Sequence, residues 1–310
     1  MHELDRLRRA LLEVAERGES AMLATIMDVD GSTYRGVGAR MIVRADGSTV
    51  GAVSGGCLEA DIVARMPEVL AAGKPELVRY DTRASDDVVL GLGLGCQGVI
   101  DLTLEPLSGH TLHDAITRLA ELRARSAVRL LVCGAGTDAI PVARLAAMTG
   151  WLVTVVDHRP SFVTRDRFPE ADRTICLNAT RDASALADSL ALDEFAAAVV
   201  MAHAATHDRA YLHALLRVGT LRYIGVLGPR RRTLELLEGA QGVAVGEMPP
   251  AVHAPVGLDL GAETPEEIAL AIVSEIAAVL AGASGASLRD RDGPIHVERP
   301  RTQHPTGAID

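Results

Sequence analysis

The segment from Val132 to Arg159, VCGAGTDAIPVARLAAMTGWLVTVVDHR, constrains the fold more than any other part of the chain. An apolar run ends at Cys133, Gly134 and Gly136 follow, and Ala139 completes a G-x-G-x-x-A spacing. A stretch of helical character and a second apolar run ending on Asp157 come next. In a strand–turn–helix–strand unit each of these residues has a physical use. Gly134 permits the tight turn, Gly136 lets a phosphate approach the backbone, Ala139 lets the helix lie close on the sheet, and an acid placed like Asp157 accepts ribose hydroxyls. Pro141 suits the first helical turn if Asp138 is the N-cap, because an N–H there would have no helical partner anyway. Asp138 also brings a carboxylate to the point where a pyrophosphate would sit, which disfavours an ordinary dinucleotide pose. The unit therefore predicts a dinucleotide-type fold, kept either for a nucleotide or as a scaffold for another ligand.

The same rhythm continues downstream. Apolar runs VRLLVC, WLVTVV, TICL, AAAVVMA and RYIGVL alternate with helical or loop stretches, as in a parallel sheet wrapped by helices. The last helix is well marked, with Thr264 as N-cap, Pro265 at the first helical position, Glu267 completing a capping box and Gly282 as the stop. The first third reads differently. MHELDRLRRALLEVAERGES is a charged amphipathic helix, AMLATIMDV a strand, ARMIVR and TVGAVS a hairpin turning at Asp46-Gly47, and ELVRYD and GVIDLTLEPL two further strands. The fold class expected is α/β: an N-terminal α+β domain over residues 1–108 with mainly local strand pairing, a helical linker over 109–126, and a doubly wound, Rossmann-like parallel-sheet domain over 127–282. The charged, proline-containing stretch 283–310 is expected to be disordered.

Composition excludes some functions. A formal net charge of -10 offers no global attraction for nucleic acid or an anionic membrane, and aromatics at 3% leave few platforms for stacking bases. The first helix lacks the apolar core of a secretory signal and no run is long enough to span a bilayer, so a cytoplasmic protein is expected. The four cysteines, Cys57, Cys96, Cys133 and Cys176, form no C-x-x-C pair, which argues against a disulfide framework or a zinc ribbon.

Two cysteines follow glycines. In VSGGCLEADIV, Cys57 comes directly after Ser54, Gly55 and Gly56 at the start of a helical pattern, where free backbone amides favour an anion or a thiolate. Cys96 follows Gly91, Gly93 and Gly95 in GLGLGC. Cys57 is thus either a working thiol or a buried filler beneath a helix start, and Cys96 poses the same choice. Cys133 and Cys176 lie in apolar strands and read as core. His203 and His207 in MAHAATHD have a spacing that would suit metal ligands on one helix face; solvent-facing loop histidines are the alternative. His203 stands at the carboxyl end of a strand, the edge where open α/β sheets bind ligands. Arg230 to Arg232 after GVLGP share that edge, as a phosphate site or as a solvated helix start.

Taken together, these motifs resemble the XdhC/CoxI group, accessory proteins of molybdenum hydroxylases such as xanthine dehydrogenase. The resemblance rests on DGSTYRGVGARMIVRADGSTVGAVSGGCLEADI, GLGLGCQGVIDLTLEPL, the Gly134 segment, VVMAHAATHD, YIGVLGPRR and VHAPVGLDLGAETPEEIALAI, in that order. It implies a chaperone that transiently binds the molybdenum cofactor, a molybdopterin, assists its sulfuration and inserts it into a client hydroxylase. It carries over to Gly55, Gly56, Cys57, Gly95 and Cys96, with Cys57 and Cys96 as the thiols near the metal; Ser54, Gly134, Gly136, Asp157, His203 and Arg230, from the reading of the residues themselves, complete the candidate cofactor-binding set. A cysteine desulfurase and a second copy of the chain are further partners compatible with that role. The alternative is an NAD(P)-dependent oxidoreductase, with Gly134, Gly136 and Asp157 holding the nucleotide and His203 as the acid. A third reading is a docking protein whose Rossmann domain binds only partner proteins.

Overall fold

The computed structural model describes residues 3–81, 97–180, 190, 192 and 196–290. These fall into two compact units, the first made of Glu3–Ser126 with residues 288–290 and the second of Ala127–Ser287.

In the first unit, helix α1 (Glu3–Glu16) precedes strands β1 (Ala21–Ser32), β2 (Arg40–Arg44) and β3 (Thr49–Gly51). Helix α2 (Glu59–Ala72), strands β4 (Glu76–Asp81) and β5 (Gln97–Leu107) and helix α3 (Gly109–Ser126) follow. The five strands make one antiparallel sheet in the order β3-β2-β1-β5-β4. The β2–β3 hairpin turns at Asp46-Gly47, where Gly47 has φ 80° and Asp46 Oδ1 accepts the Ser48 amide. Strand pairing is less local than the sequence predicts: β1 pairs with β5 from Ala21↔Leu107 to Ser32↔Gln97, across the intervening α2 and β4. Alternation along the strands serves two cores, because successive side chains point to opposite faces. Met22, Ala24, Ile26, Met41 and Val43 pack with Ile62, Met66 and Val69 of α2. Ala21, Leu23, Ile42 and Leu107 pack with Leu7, Leu11 and Val14 of α1 and Leu112, Ala115 and Leu119 of α3. Helix α3, predicted as a linker, therefore buries its apolar stripe within the first unit.

In the second unit, the elements are β6 (Arg129–Cys133), α4 (Ala139–Met148), β7 (Leu152–Asp157), β8 (Arg173–Cys176), β9 (Ala197–Val200), α5 (Ala205–Val218), β10 (Tyr223–Val226), α6 (Arg230–Leu237), β11 (Val252–His253) and α7 (Pro265–Leu280). All six strands are parallel, in the order β11-β10-β9-β6-β7-β8. The order reverses between β6 and β9, which defines the switch point of a doubly wound sheet. One face is covered by α4 and α7, through residues such as Val142, Ala146, Ile272 and Ile276, and the other by α5 and α6, through Leu212, Leu215 and Leu236. Both faces being covered, β9 and β10 are apolar and buried at every position.

The capping box forms as predicted, with the Thr264 side chain accepting the Glu267 amide and Glu267 accepting the Thr264 amide at 2.9 Å. Gly282 stops α7 at φ 63°. Residues 291–310 of the predicted disordered tail lie outside the described residues. Among the described residues, no helix is long and apolar enough to cross a membrane.

Candidate functional site

The turn before α2 is built around two polar side chains. Ser54 is buried, its hydroxyl donates to Glu59, and its Oγ accepts the amides of Gly56 and Leu58, each at 3.1 Å. The Glu59 carboxylate also accepts the amides of Ser54 at 2.8 Å, Leu58 at 3.2 Å and Val53 at 3.3 Å. Burial pushes the Glu59 carboxyl up, but the hydrogen bonds from Ser54 and these amides outweigh it and hold it below the ordinary carboxylate range. The sequence predicts a turn whose free amides favour an anion or a thiolate; in the structure the Glu59 carboxylate takes the amides of Val53, Ser54 and Leu58. Gly56 takes φ 111°, and Gly55 lies beneath Tyr34, whose ring stands 3.7 Å from where a Cβ would be. Cys57 is half-buried: it packs against the core between α2 and the sheet yet keeps access to solvent. It is therefore neither fully exposed nor a sealed filler. Gly95 and Cys96 lie outside the described residues.

In the second unit, the loops after β6 and β9 meet at the switch point. A Cβ on Gly134, whose φ is 121°, would stand 2.5 Å from the Met201 carbonyl oxygen and 2.6 Å from Ala202 Cα, so only glycine fits. A Cβ on Gly136 would stand 2.7 Å from Asp138 Oδ1 and 3.5 Å from the His203 ring. Asp138 occupies the N-cap position of α4 but makes no capping bond; its Oδ2 lies 2.7 Å from His203 Nε2. His203 has the one positive φ, 56°, of any non-glycine residue described, a conformation that costs free energy and is held in place by its surroundings.

Two buried acids brace these loops. Asp157, fully buried, accepts the Ala135 amide at 2.8 Å through Oδ2, and its two oxygens also receive a bidentate Arg159 at 2.9 and 2.8 Å. Burial raises its pKa, and the bonds from Arg159, Ala135 and the Arg159 amide more than offset this, bringing it down to about 2. Arg167 holds the Ala135 carbonyl at 3.1 Å, so Ala135 is fixed through both its N–H and its C=O. Asp208 on α5 does the same for the other loop, accepting the Ala202 amide at 2.9 Å through Oδ1 and pairing with Arg232 of α6 through Oδ2. A ribose would thus find Asp157 sealed and committed to the protein's own donors. With Asp138 at the pyrophosphate position as well, an NAD(P) pose is not favoured.

His203 and His207 do not converge. His203 turns to Asp138, while the His207 ring stacks on His158 with centroids 3.8 Å apart. Burial and the neighbouring His158 push the His207 pKa down. Among the described residues, no group of three or more His, Cys, Asp and Glu side chains could hold a metal ion. Arg230 is exposed at the first turn of α6 and has no ion pair among the described residues. Cys133 is sealed in β6 as predicted, but Cys176 is exposed, because β8 is an edge strand and Cys176 ends it. Glu59, Asp208 and Arg159 do not stand out in the sequence; the one signal for each is a charged residue within or beside an apolar or glycine-rich segment.

Comparison with known proteins bears on the whole arrangement. The model of the XdhC and CoxI family matches residues 14–81, and that of the XdhC Rossmann domain matches residues 130–276. The chain is 34% identical to a probable xanthine dehydrogenase subunit of Bacillus subtilis (strain 168), over 84% of this chain and 93% of that protein. The chain belongs to the XdhC and CoxI family. Another relative is the molybdenum cofactor insertion chaperone PaoD of Escherichia coli (strain K12), 30% identical over 87% of each chain. A crystal structure described as a xanthine dehydrogenase from Bacillus halodurans superimposes with a TM-score of 0.77 at 28% identity, covering 93% of this chain and 98% of that one. In the Rossmann unit the loops after β6 and β9 are braced from within.

Proposed function

We infer that the chain is a molybdenum cofactor chaperone that takes up the cofactor, helps to fit its terminal sulfur and delivers it to a molybdenum hydroxylase of the xanthine dehydrogenase type. The observation that carries this reading is the near full-length likeness to a cofactor insertion chaperone, joined to a Rossmann switch point whose acids are already committed and offer a nicotinamide nucleotide no ribose acceptor. The cargo combines a phosphate with a thiophilic metal, so a carrier needs soft and cationic groups presented without enclosure. Cys57, half-buried on a turn stiffened by Ser54 and Glu59, is the soft group described, and its partial exposure suits a ligand that must later leave.

The test is a loading experiment. Purified chain is mixed with isolated molybdenum cofactor, passed over a gel-filtration column and assayed for bound molybdenum. The parent chain is expected to retain metal and a Cys57→Ala variant several-fold less. Saturable NAD binding with hydride transfer and no molybdenum in the protein peak would instead restore the oxidoreductase.

A further inference from the structure

Aromatic side chains are few in this chain, and among the described residues all but one serve the cores. Tyr80, Trp151, Phe168, Tyr211 and Tyr223 are buried, and Phe162 packs against the core of the second unit. Tyr34 is the exception, with 65% of its surface exposed. A single exposed apolar side chain is ordinary on a protein surface. What distinguishes Tyr34 is how it is held and what it adjoins.

Its ring lies on the turn that carries Cys57. The ring carbons Cγ, Cδ2 and Cδ1 stand 3.7, 3.8 and 3.9 Å from the position of a Gly55 Cβ. Three nearly equal distances mean that the turn meets the face of the ring, since an approach to its edge would bring one carbon much nearer than the others. One face is therefore covered by glycine backbone and the other is open. The loop bearing the ring is braced on both sides. Buried Thr33 donates its hydroxyl to the Arg35 carbonyl at 2.9 Å, and Arg35 grips both carboxylate oxygens of Glu3 at 2.5 and 2.7 Å. Beyond it the Gly38 amide donates to the Ile26 carbonyl at 2.9 Å, and the Ala39 carbonyl accepts the Ile26 amide at 3.0 Å. A flat ring with only two side-chain torsions is thus presented on a fixed support, so a ligand stacking on it costs little ordering entropy. Gly55 precedes Cys57 by two residues, a chain length of at most about 7 Å, so one small molecule can meet both ring and thiol.

We propose that the outer face of Tyr34 is a stacking platform for the fused heteroaromatic rings of a pterin. Tyr34 and Cys57 then divide one cargo between them, the ring taking the flat π-surface and the thiol the thiophilic metal. A heterocycle is the occupant that one ring face fits, because stacking needs no more area than the ring itself, whereas a stable protein interface takes about 20 residues a side. That this pterin belongs to the molybdenum cofactor rests on the chaperone reading above.

The platform is tested with 6-hydroxymethylpterin, which carries neither metal nor phosphate, titrated into the full chain while the fluorescence of the pterin is followed. Saturable quenching is expected, little changed by added salt because stacking is not an ion pair. Tyr34→Phe keeps the ring and is expected to bind like the parent. Tyr34→Leu keeps apolar bulk without the flat face and is expected to bind about tenfold more weakly. The side chain being exposed, both variants are expected to fold, which far-ultraviolet circular dichroism checks. Absence of saturable quenching by the parent overturns the proposal. So does a Tyr34→Leu variant that binds as the parent does, a result that would make Tyr34 part of an apolar patch for a protein partner. A second arm compares molybdenum retention after gel filtration, where Tyr34→Leu is expected to hold several-fold less than the parent. If both retain it equally, the platform does not serve the cofactor and the proposal fails while the chaperone reading stands. If the parent retains none yet binds pterin in a Tyr34-dependent way, the chaperone reading fails and the platform stands.

Discussion

Asp157 shows how a residue type common to nucleotide-binding folds can serve another purpose. In the sequence its position at the end of β7 reads as a ribose acceptor; in the structure its oxygens bind Arg159 and the Ala135 amide. Its carboxyl titrates at about 2 against an ordinary 3.8, so the unfolded chain binds more protons between those values. Stability from this group is fully present above about pH 4 and is lost as pH falls toward 2; the shift corresponds to about 2 kcal/mol. Asp157→Asn is expected to lower the unfolding free energy at pH 7 by about 2 kcal/mol, less than for a fully buried pair because Arg159 reaches solvent. The same variant should flatten the acid limb of the stability profile, and urea titrations at pH 7 and pH 3 check both. Glu59 illustrates the same point at the Cys57 turn. Its i+2 position after a cysteine carries no sign that its carboxylate folds back onto Val53 and Ser54, since that contact depends on a side-chain rotamer in a particular turn.

At the scale of elements, the glycine loop is legible because its demands are steric and local. Gly134 is required on two counts, a positive φ and the carbonyl of Met201 standing where a Cβ would be. Gly134→Ala is expected to cost at least about 2 kcal/mol and to loosen the β6–β9 junction. Hydrogen exchange at the Ala135 and Ala202 amides should rise selectively, and unchanged protection there would contradict the tight approach. The α7 capping box was equally plain, being a four-residue motif. The pairing of β1 with β5 was not, because strands far apart in sequence leave no short-range signature of their register. Helix α3 was legible as a helix but not in its placement, since its apolar stripe shows that something covers it without showing what.

At the scale of the molecule, each unit has its own core, and the second also contains a polar cluster that ties α7 to the sheet. Glu275 accepts the Tyr223 hydroxyl at 2.5 Å and the Gly257 amide at 2.8 Å, and Tyr223 stacks on His253. Burial and the Glu275 carboxylate push the Tyr223 pKa up, keeping the phenol a donor. A fragment spanning Ala127–Ser287 is expected to unfold in urea as a single cooperative transition, followed by its one tryptophan, Trp151, which is buried in this core. A broad, non-cooperative loss of signal would show that the fragment lacks a self-sufficient core. What the sequence alone determined was the α/β class, the switch-point loop, the capped last helix and the family, because turns, caps and strand periodicity act over a few neighbouring residues. Tertiary structure alone decided which charges are free. Whether Asp157, Asp138, Glu59 or an arginine can meet a ligand depends on partners brought together from distant parts of the chain, and on the burial that makes leaving any of them unpaired so costly.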